Sequence, residues 1–286
     1  MELFLFTVCI LGILGLVGAL VLWLTAEKFK VEEDPRIDLV EACLAGANCG
    51  GCGLAGCRAF AVKCVEQGSL DGLSCPSSGS DALARIASIL GVEAPEEKMR
   101  NVAVVRCNGS CASRPRKYVY DGAQTCAIMD GAGVGTTGCS FGCLGCGDCV
   151  QACIFDAIII DKATGLPVVD TDLCTGCGAC VKECPRNIVE LRPLGRRERR
   201  VWVGCSNRDK GAVARKECSA ACIGCGKCMR TCPFGAISVS DNLAYVNPEM
   251  CRACGKCLPV CPTGAILASF EVKLPKAETN EQSQNI

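Results

Sequence analysis

The sequence has no histidine, few aromatic residues and no net charge, and each shortage removes a class of function. Without histidine there is no Ser-His triad, His-ligated haem, Rieske centre, facial-triad iron or Cys2His2 zinc site. Lys+Arg and Asp+Glu stand at 30 each, so no overall electrostatic pull toward nucleic acid is expected. Only 2 Trp, 3 Tyr and 8 Phe serve a chain of 286 residues, which leaves ordinary core packing thin. What the chain has in excess is cysteine, 29 residues of it. That density means either a disulfide scaffold in an oxidising compartment or a thiolate metalloprotein in a reducing one, and the spacings decide.

From Leu3 to Leu24 no side chain is charged. A helix of that length reaches roughly 33 Å, which predicts one transmembrane helix. Glu2 precedes the run and Lys28 and Lys30 follow it. A cleaved signal peptide calls for a basic start and a small-residue cleavage site, so the run reads as an anchor. Positive charge on the carboxyl side only (Lys28, Lys30, Arg36) predicts a single-pass protein of the inner membrane, with its bulk on the reducing, cytoplasmic side. Gly12, Gly15 and Gly18 recur every third residue, which suits either close approach of another helix or the glycine that membrane helices tolerate anyway.

The expected fold class is α+β: the transmembrane helix, a small helical cysteine-bearing domain, then two tandem cysteine-rich repeats. The boundaries are 1–30 for the anchor, 31–92 for the helical domain and 93–200 for the first repeat with a cysteine-rich insertion. The second repeat is 201–270, and the polar tail 271–286 is expected to be disordered. Asp81 is a candidate N-cap for a helix whose apolar stripe is Leu83, Ile86, Ala87 and Leu90 and whose stop is Gly91. Glu93 to Met99 reads as a linker. The duplication is legible in parallel features. Val102 to Val105 runs into Cys107 as Val201 to Val203 runs into Cys205, and strand-like stretches at Ala157 to Ile160 and Ala236 to Val239 follow matching cysteine runs.

Those runs carry the chemistry. Cys139, Cys143, Cys146, Cys149 and Cys153 share the spacing of Cys218, Cys222, Cys225, Cys228 and Cys232, and further quartets follow at Cys174, Cys177, Cys180, Cys184 and at Cys251, Cys254, Cys257, Cys261. The cadence C-x2-C-x2-C-x3-C thus occurs four times, three times with Pro next (Pro185, Pro233, Pro262) and once with Ile154 instead. It is the two-cluster ferredoxin signature, in which three close thiolates hold one [4Fe-4S] cluster and the fourth ligand comes from the partner quartet, so the two repeats are expected to be bacterial-ferredoxin-like and the helical domain before them an iron-sulfur domain. The pairing predicts four clusters: Cys143, Cys146, Cys149 with Cys184; Cys174, Cys177, Cys180 with Cys153; Cys222, Cys225, Cys228 with Cys261; and Cys251, Cys254, Cys257 with Cys232. A fifth is expected on Cys49, Cys52, Cys57 and Cys75, inside a glycine-rich segment that can bend tightly. Structural zinc is the competing reading of that last group, and zinc or disulfides are poor readings of the four quartets.

Six cysteines remain: Cys107, Cys111, Cys126, Cys139, Cys205 and Cys218. A sixth cluster would use Cys107, Cys111, Cys126 and Cys139 on one segment, or Cys107 and Cys139 with Cys205 and Cys218 across the repeats. Buried reduced thiols are the third reading. Cys9, Cys43 and Cys64 read as small hydrophobes. Gly133 to Gly138 fits G-x-G-x-x-G, but no strand precedes it, so it reads as a flexible loop and not a dinucleotide site. Arg196, Arg197, Arg199 and Arg200 read as a solvated linker, with docking of an acidic ferredoxin as the alternative.

The amino-terminal apolar run, the Asn48 to Cys57 segment with Cys75, and the downstream quartets resemble the B subunit of Rnf-type ion-translocating ferredoxin:NAD oxidoreductase complexes, in a long, cluster-rich form. The resemblance implies an electron-transfer subunit that takes electrons from reduced ferredoxin and relays them to membrane subunits of an ion-pumping oxidoreductase. It implies five clusters, or six, with flavin, NAD and any catalytic site on other subunits. The alternative is the iron-sulfur subunit of another membrane redox enzyme, such as a hydrogenase or a formate-linked reductase.

Overall fold

The computed structural model describes residues 1–28, 33–94, 99–133 and 135–272, without the side chains of Glu2, Leu3, Leu5, Thr7, Cys9, Ala26 and Arg196. The expected tail from 273 onward, Lys30, Val134 and most of the 93–99 linker lie outside these residues.

Helix α1 runs Glu2–Lys28, and its described large apolar side chains, Leu14, Leu16 and Trp23 among them, are exposed. The membrane span expected over Leu3 to Leu24 is not upheld: among the described residues no helix is long and apolar enough to cross a membrane.

Helices α2 (Arg36–Cys43), α3 (Cys57–Gln67) and α4 (Ser80–Leu90) form the next unit. Their shared core holds Val40, Phe60, Cys64, Ile86 and Ala87. The expected stripe on α4 does face inward, with Ile86 and Ala87 buried and Leu83 and Leu90 packed at the margin. Gly91 closes the helix at φ +71°, a left-handed cap that glycine adopts without strain. The helix begins two residues earlier than Asp81 suggests. Gly79 stands at the cap and Asp81 falls in the first turn, where a carboxylate still complements the helix dipole.

The rest of the chain is built twice. In order come β1 (Asn101–Val105), α5 (Cys126–Gly131), α6 (Asp148–Gln151), β2 (Ile158–Asp161), β3 (Leu166–Val169), α7 (Ala179–Glu183) and β4 (Val189–Pro193). Then follow β5 (Val201–Val203), α8 (Gly211–Glu217), α9 (Lys227–Thr231), β6 (Ile237–Ser240), β7 (Leu243–Val246) and β8 (Ile266–Ala268). Every sheet is an antiparallel pair: β1 with β4, β2 with β3, β5 with β8 and β6 with β7. The first strand of each repeat therefore pairs with its last, Val105 opposite Val189 and Val203 opposite Ile266, and closes the repeat around its inner hairpin. Each repeat has its own core of Val, Ile, Ala and Cys.

Polar contacts lock the two repeats together. The Tyr245 hydroxyl donates to Glu190 at 2.8 Å, and the guanidinium groups of Arg106 and Arg192 lie 5.3 and 5.1 Å from its ring centroid. The Trp202 indole N–H donates to the Val105 carbonyl at 3.1 Å, and the Asn108 N–H to the Gly204 carbonyl at 2.8 Å. The basic run is only partly solvated. Arg199 lies over the Phe270 ring at 4.9 Å and Arg200 is buried.

The quartets share one backbone solution. In each C-x2-C-x2-C loop two residues have positive φ: Gly145 and Gly147, Gly176 and Gly178, Gly224 and Gly226, and Ala253 and Gly255. After each fourth cysteine the chain turns through a third left-handed residue, Asp156, Asn187, Gly235 or Gly264. The N–H of that residue bonds back to the cysteine carbonyl in all four cases. Ile154 therefore does not break the pattern: Asp156 tolerates the left-handed conformation and closes the turn without proline.

Ala253 holds φ +50° where its counterparts are glycine, so Ala253→Gly is expected to stabilise the chain by about 1 kcal/mol. At Gly176 the φ is +73° and a Cβ would clash with the Asn101 carbonyl. Gly176→Ala should cost about 2 kcal/mol or more. Thermal unfolding followed by circular dichroism under anaerobic conditions checks both signs.

Candidate metal centres

The turns just described aim cysteine sulfur into four cavities of about 300 to 400 Å³ inside the repeats. Cys222, Cys225 and Cys228 share one with Cys261. Cys174, Cys177 and Cys180 share another with Cys153, and Cys251, Cys254 and Cys257 share a third with Cys232. These are the crossed sets expected from spacing, three thiols from one quartet and one from the other. The fourth cavity is lined by Cys143, Cys149 and Cys184, with Cys126 beside them. Cys146, the remaining member of the expected set, is not among the lining residues; its sulfur lies 4.0 Å from Met129 Sδ.

Backbone N–H groups point at several of these sulfurs. Ala103 donates to Cys174 at 3.4 Å, Ala244 to Cys222 at 3.5 Å and Ala253 to Cys251 at 3.4 Å. Burial pushes the Cys143, Cys180 and Cys257 thiols up to about 12, with neighbouring cysteines adding to the effect. Burial likewise raises Cys146 to about 12, and nearby Cys126 adds to it. Bare thiolates are therefore costly in these cavities, and cations that bind there must displace protons.

The amino-terminal group is assembled by the loops around α3. Cys57 opens the helix, Cys52 and Cys75 pack at the edge of its core, and the Cys49 sulfur lies 3.2 Å from the Ser77 hydroxyl. Cys64 is buried in that core, where burial raises its thiol to about 11 and Cys52 and Cys75 add to the shift. Cys43 packs at the core margin. Gly51 presses against the Cys177 backbone, so closely that a Cβ would stand 2.9 Å from the Cys177 carbonyl oxygen. The amino-terminal group and the Cys174–Cys180 loop are thus in direct contact.

Among the remaining cysteines the one-segment set does not come together. Cys111 is exposed beside Gly165, and Cys126 belongs to the Cys143 cavity. Cys107 and Cys139 instead line a fifth cavity with Cys205 and Cys218, between the repeats. The G-x-G-x-x-G segment follows α5 rather than a strand, and it is tethered. Arg186 donates to the Gly133 carbonyl at 3.2 Å, and the Lys117 N–H to the Thr136 carbonyl at 2.8 Å.

Every described cysteine is an unpaired thiol. No three or more Cys, Asp or Glu side chains among the described residues converge tightly enough to hold a single metal ion. Tetrahedral zinc needs four sulfurs about 2.3 Å from one point, whereas a [4Fe-4S] cluster seats each thiolate at its own corner. Thiols spread around a cavity and met by N–H donors fit the polynuclear centre.

Three supporting residues were given no role by the sequence reading. Asn48 accepts the Cys57 N–H on its side-chain oxygen at 2.8 Å, which caps α3 from nine residues upstream. Asp148 accepts the Cys126 and Ala127 N–H groups at 2.8 and 3.2 Å. Arg186 bonds Asp130 at 2.7 Å and the Gly142 carbonyl at 2.8 Å. An asparagine just before a glycine-rich cysteine loop was a cue for the first; the other two act across distances that no local pattern encodes.

Crossed cysteine quartets around paired cavities define a multi-cluster iron-sulfur electron-transfer protein of the ferredoxin type. Families described as "4Fe-4S dicluster domain" match residues 140–191, 173–236 and 221–265, and one described as "Putative Fe-S cluster" matches 44–76. The chain is 44% identical over 243 residues to the B subunit of the Na(+)-translocating ferredoxin:NAD(+) oxidoreductase complex of Acetobacterium woodii, covering 85% of this chain and 71% of that protein. It is 41% identical to the B subunit of the proton-translocating complex of Clostridium ljungdahlii, covering 85% and 84%. With the B subunit of the ion-translocating oxidoreductase complex of Methanosarcina acetivorans it shares 40% identity, covering 86% and 90%. The chain belongs to the family of B subunits of ion-translocating ferredoxin:NAD oxidoreductase complexes. It carries several [4Fe-4S] clusters and serves electron transfer in a membrane-associated complex.

Asn48→Ala removes the cap and leaves a non-glycine residue at φ +48°; it is expected to destabilise the first turn of α3 by about 1 to 2 kcal/mol. Asn48→Gly should cost less, because it keeps the backbone relaxed. Hydrogen exchange at Arg58 to Ala61 reads the difference.

Proposed function

We propose that this chain is the conductor of its complex, accepting electrons from reduced ferredoxin and relaying them to the partner subunits that couple electron flow to ion movement. Five [4Fe-4S] clusters are assigned to Cys49, Cys52, Cys57, Cys75; to Cys143, Cys146, Cys149, Cys184; to Cys174, Cys177, Cys180, Cys153; to Cys222, Cys225, Cys228, Cys261; and to Cys251, Cys254, Cys257, Cys232. The observation that carries this reading is the crossing of three thiols from one quartet with one from the other around a single cavity. Such clusters supply one-electron redox chemistry at potentials set by N–H···S hydrogen bonds, charge and solvent. The chain's own part is to hold the thiolates, donate those hydrogen bonds and keep neighbouring sites in contact.

Interactions between thiols of different sets support this reading. Cys180 feels the field of Cys149, and Cys257 that of Cys228, within the two repeats. Gly51 on Cys177 brings the amino-terminal group against the first repeat. This supports an order in which the ferredoxin-like repeats receive electrons and the Cys49–Cys75 centre delivers them to the membrane subunits. Unpaired thiols and a ferredoxin donor both suit the reducing, cytoplasmic face.

Protein purified without oxygen should contain at least roughly 20 iron and as much acid-labile sulfide per chain for five clusters; near zero iron refutes the relay. Cys52→Ser in the assembled complex should block ferredoxin-driven reduction of the membrane subunits while the ferredoxin-like region still becomes reduced. Undiminished transfer refutes the order.

A further inference from the structure

The cavity between the repeats has a volume of about 300 Å³ and is lined by Cys107, Cys139, Cys205 and Cys218, with Arg114 and Asn207. All four thiols are buried. They are the duplicated positions: Cys107 and Cys205 follow β1 and β5, and Cys139 and Cys218 each precede the first cysteine of a quartet by four residues. Each repeat thus contributes two thiols, and neither half of the site is complete without the other.

The surroundings point to an anionic occupant. Arg114 is 8% exposed, and its Nε and Nη1 are buried without a hydrogen-bond partner. Only its Nη2 is engaged, donating to the Cys143 carbonyl at 2.6 Å. A Cβ on Gly142 would collide with this guanidinium, so glycine there makes room for it. A buried cation with free donors is expensive unless a negative group faces it. Asn207, 1% exposed, donates its side-chain N–H to Cys139 Sγ at 3.5 Å. The Cys143 N–H donates to Cys107 Sγ at 3.4 Å, and the Cys222 and Asn207 N–H groups face the Cys205 sulfur. Neutral buried thiols need neither the cation nor this ring of donors. Four thiolates on a [4Fe-4S] core keep a net negative charge and use both.

We propose that Cys107, Cys139, Cys205 and Cys218 hold a further [4Fe-4S] cluster that joins the two ferredoxin-like repeats, with Arg114 as its buried counter-charge. The inference rests on the relay reading and supplies its missing link. Cys107 accepts a hydrogen bond from the N–H of Cys143 of the first repeat, and the N–H of Cys222 of the second faces the Cys205 sulfur. One electron enters from one repeat and leaves to the other; no bond is made or broken and no proton moves.

The test uses the full chain purified without oxygen, assayed for iron, sulfide and zinc and by paramagnetic resonance during reductive titration. The wild-type protein should hold about 24 iron, and Cys205→Ala with Cys218→Ala should remove about four iron, four sulfide and one resonance component. Cys111→Ala, at an exposed thiol outside all five cavities, should leave the iron unchanged. Arg114→Gln should retain all the iron and shift one component to lower potential, because the reduced, more negative state loses its counter-charge. Wild-type iron of about 20 that the Cys205/Cys218 double variant leaves unchanged overturns this site alone, whereas near-zero wild-type iron overturns the relay itself. Zinc lost from the double variant in place of iron overturns the cluster assignment. If the double variant loses more than one cluster, Arg114→Gln decides, and no shifted component overturns the proposal.

Discussion

Cysteine sulfur held away from water is the constraint on which this architecture depends. Burial pushes thiols such as Cys143, Cys180 and Cys257 up to about 12, so at neutral pH they ionise only for cations that repay the desolvation. The cores around them are small and poor in aromatics, built from Val, Ile, Ala and the cysteines themselves. Such cores bury little apolar area, and the energy that ligands gain from a metal centre becomes part of the energy that holds the repeats folded.

The same local device recurs with different residues. Left-handed turns beside the ligands are supplied mostly by glycine, yet Asp156, Asn187 and Ala253 serve at equivalent positions. The proline that follows three of the quartets is dispensable at Ile154 because the closing hydrogen bond runs from the Asp156 N–H to the Cys153 carbonyl. Donors to sulfur vary more. The Ala244 N–H reaches Cys222, whereas β3, the counterpart of β7, carries Pro167 opposite Ile160, and proline has no N–H to offer. Differences of this kind let nearly identical ligand sets hold centres of different potential.

Much of the site was legible beforehand because ligand spacing is a property of short chain segments. The four quartets and their crossed partners follow from how far a tight loop can reach, and the strands leading to Cys107 and Cys205 follow from apolar runs. Other readings did not carry through. Hydropathy over Leu3 to Leu24 suggested a membrane span that the described helix does not support. The arginine run looked solvated, yet Arg200 is buried and Arg199 stacks on Phe270. Arg114 and Asn207 gave no signal, since a single charged or amide residue in a loop is ordinary until its surroundings are known.

By itself the sequence determined the number of thiol quartets, their internal geometry and the duplication, because each is encoded within a few consecutive residues whose backbone must turn the same way. Only the tertiary structure decided where the leftover thiols go. Cys111 and Cys126 lie close to Cys107 and Cys139 along the chain but separate in space, while Cys205 and Cys218 arrive from the second repeat. The packing that brings them there, Tyr245 between Arg106 and Arg192 and Trp202 on Val105, is set by contacts between residues far apart in sequence, which no local spacing records.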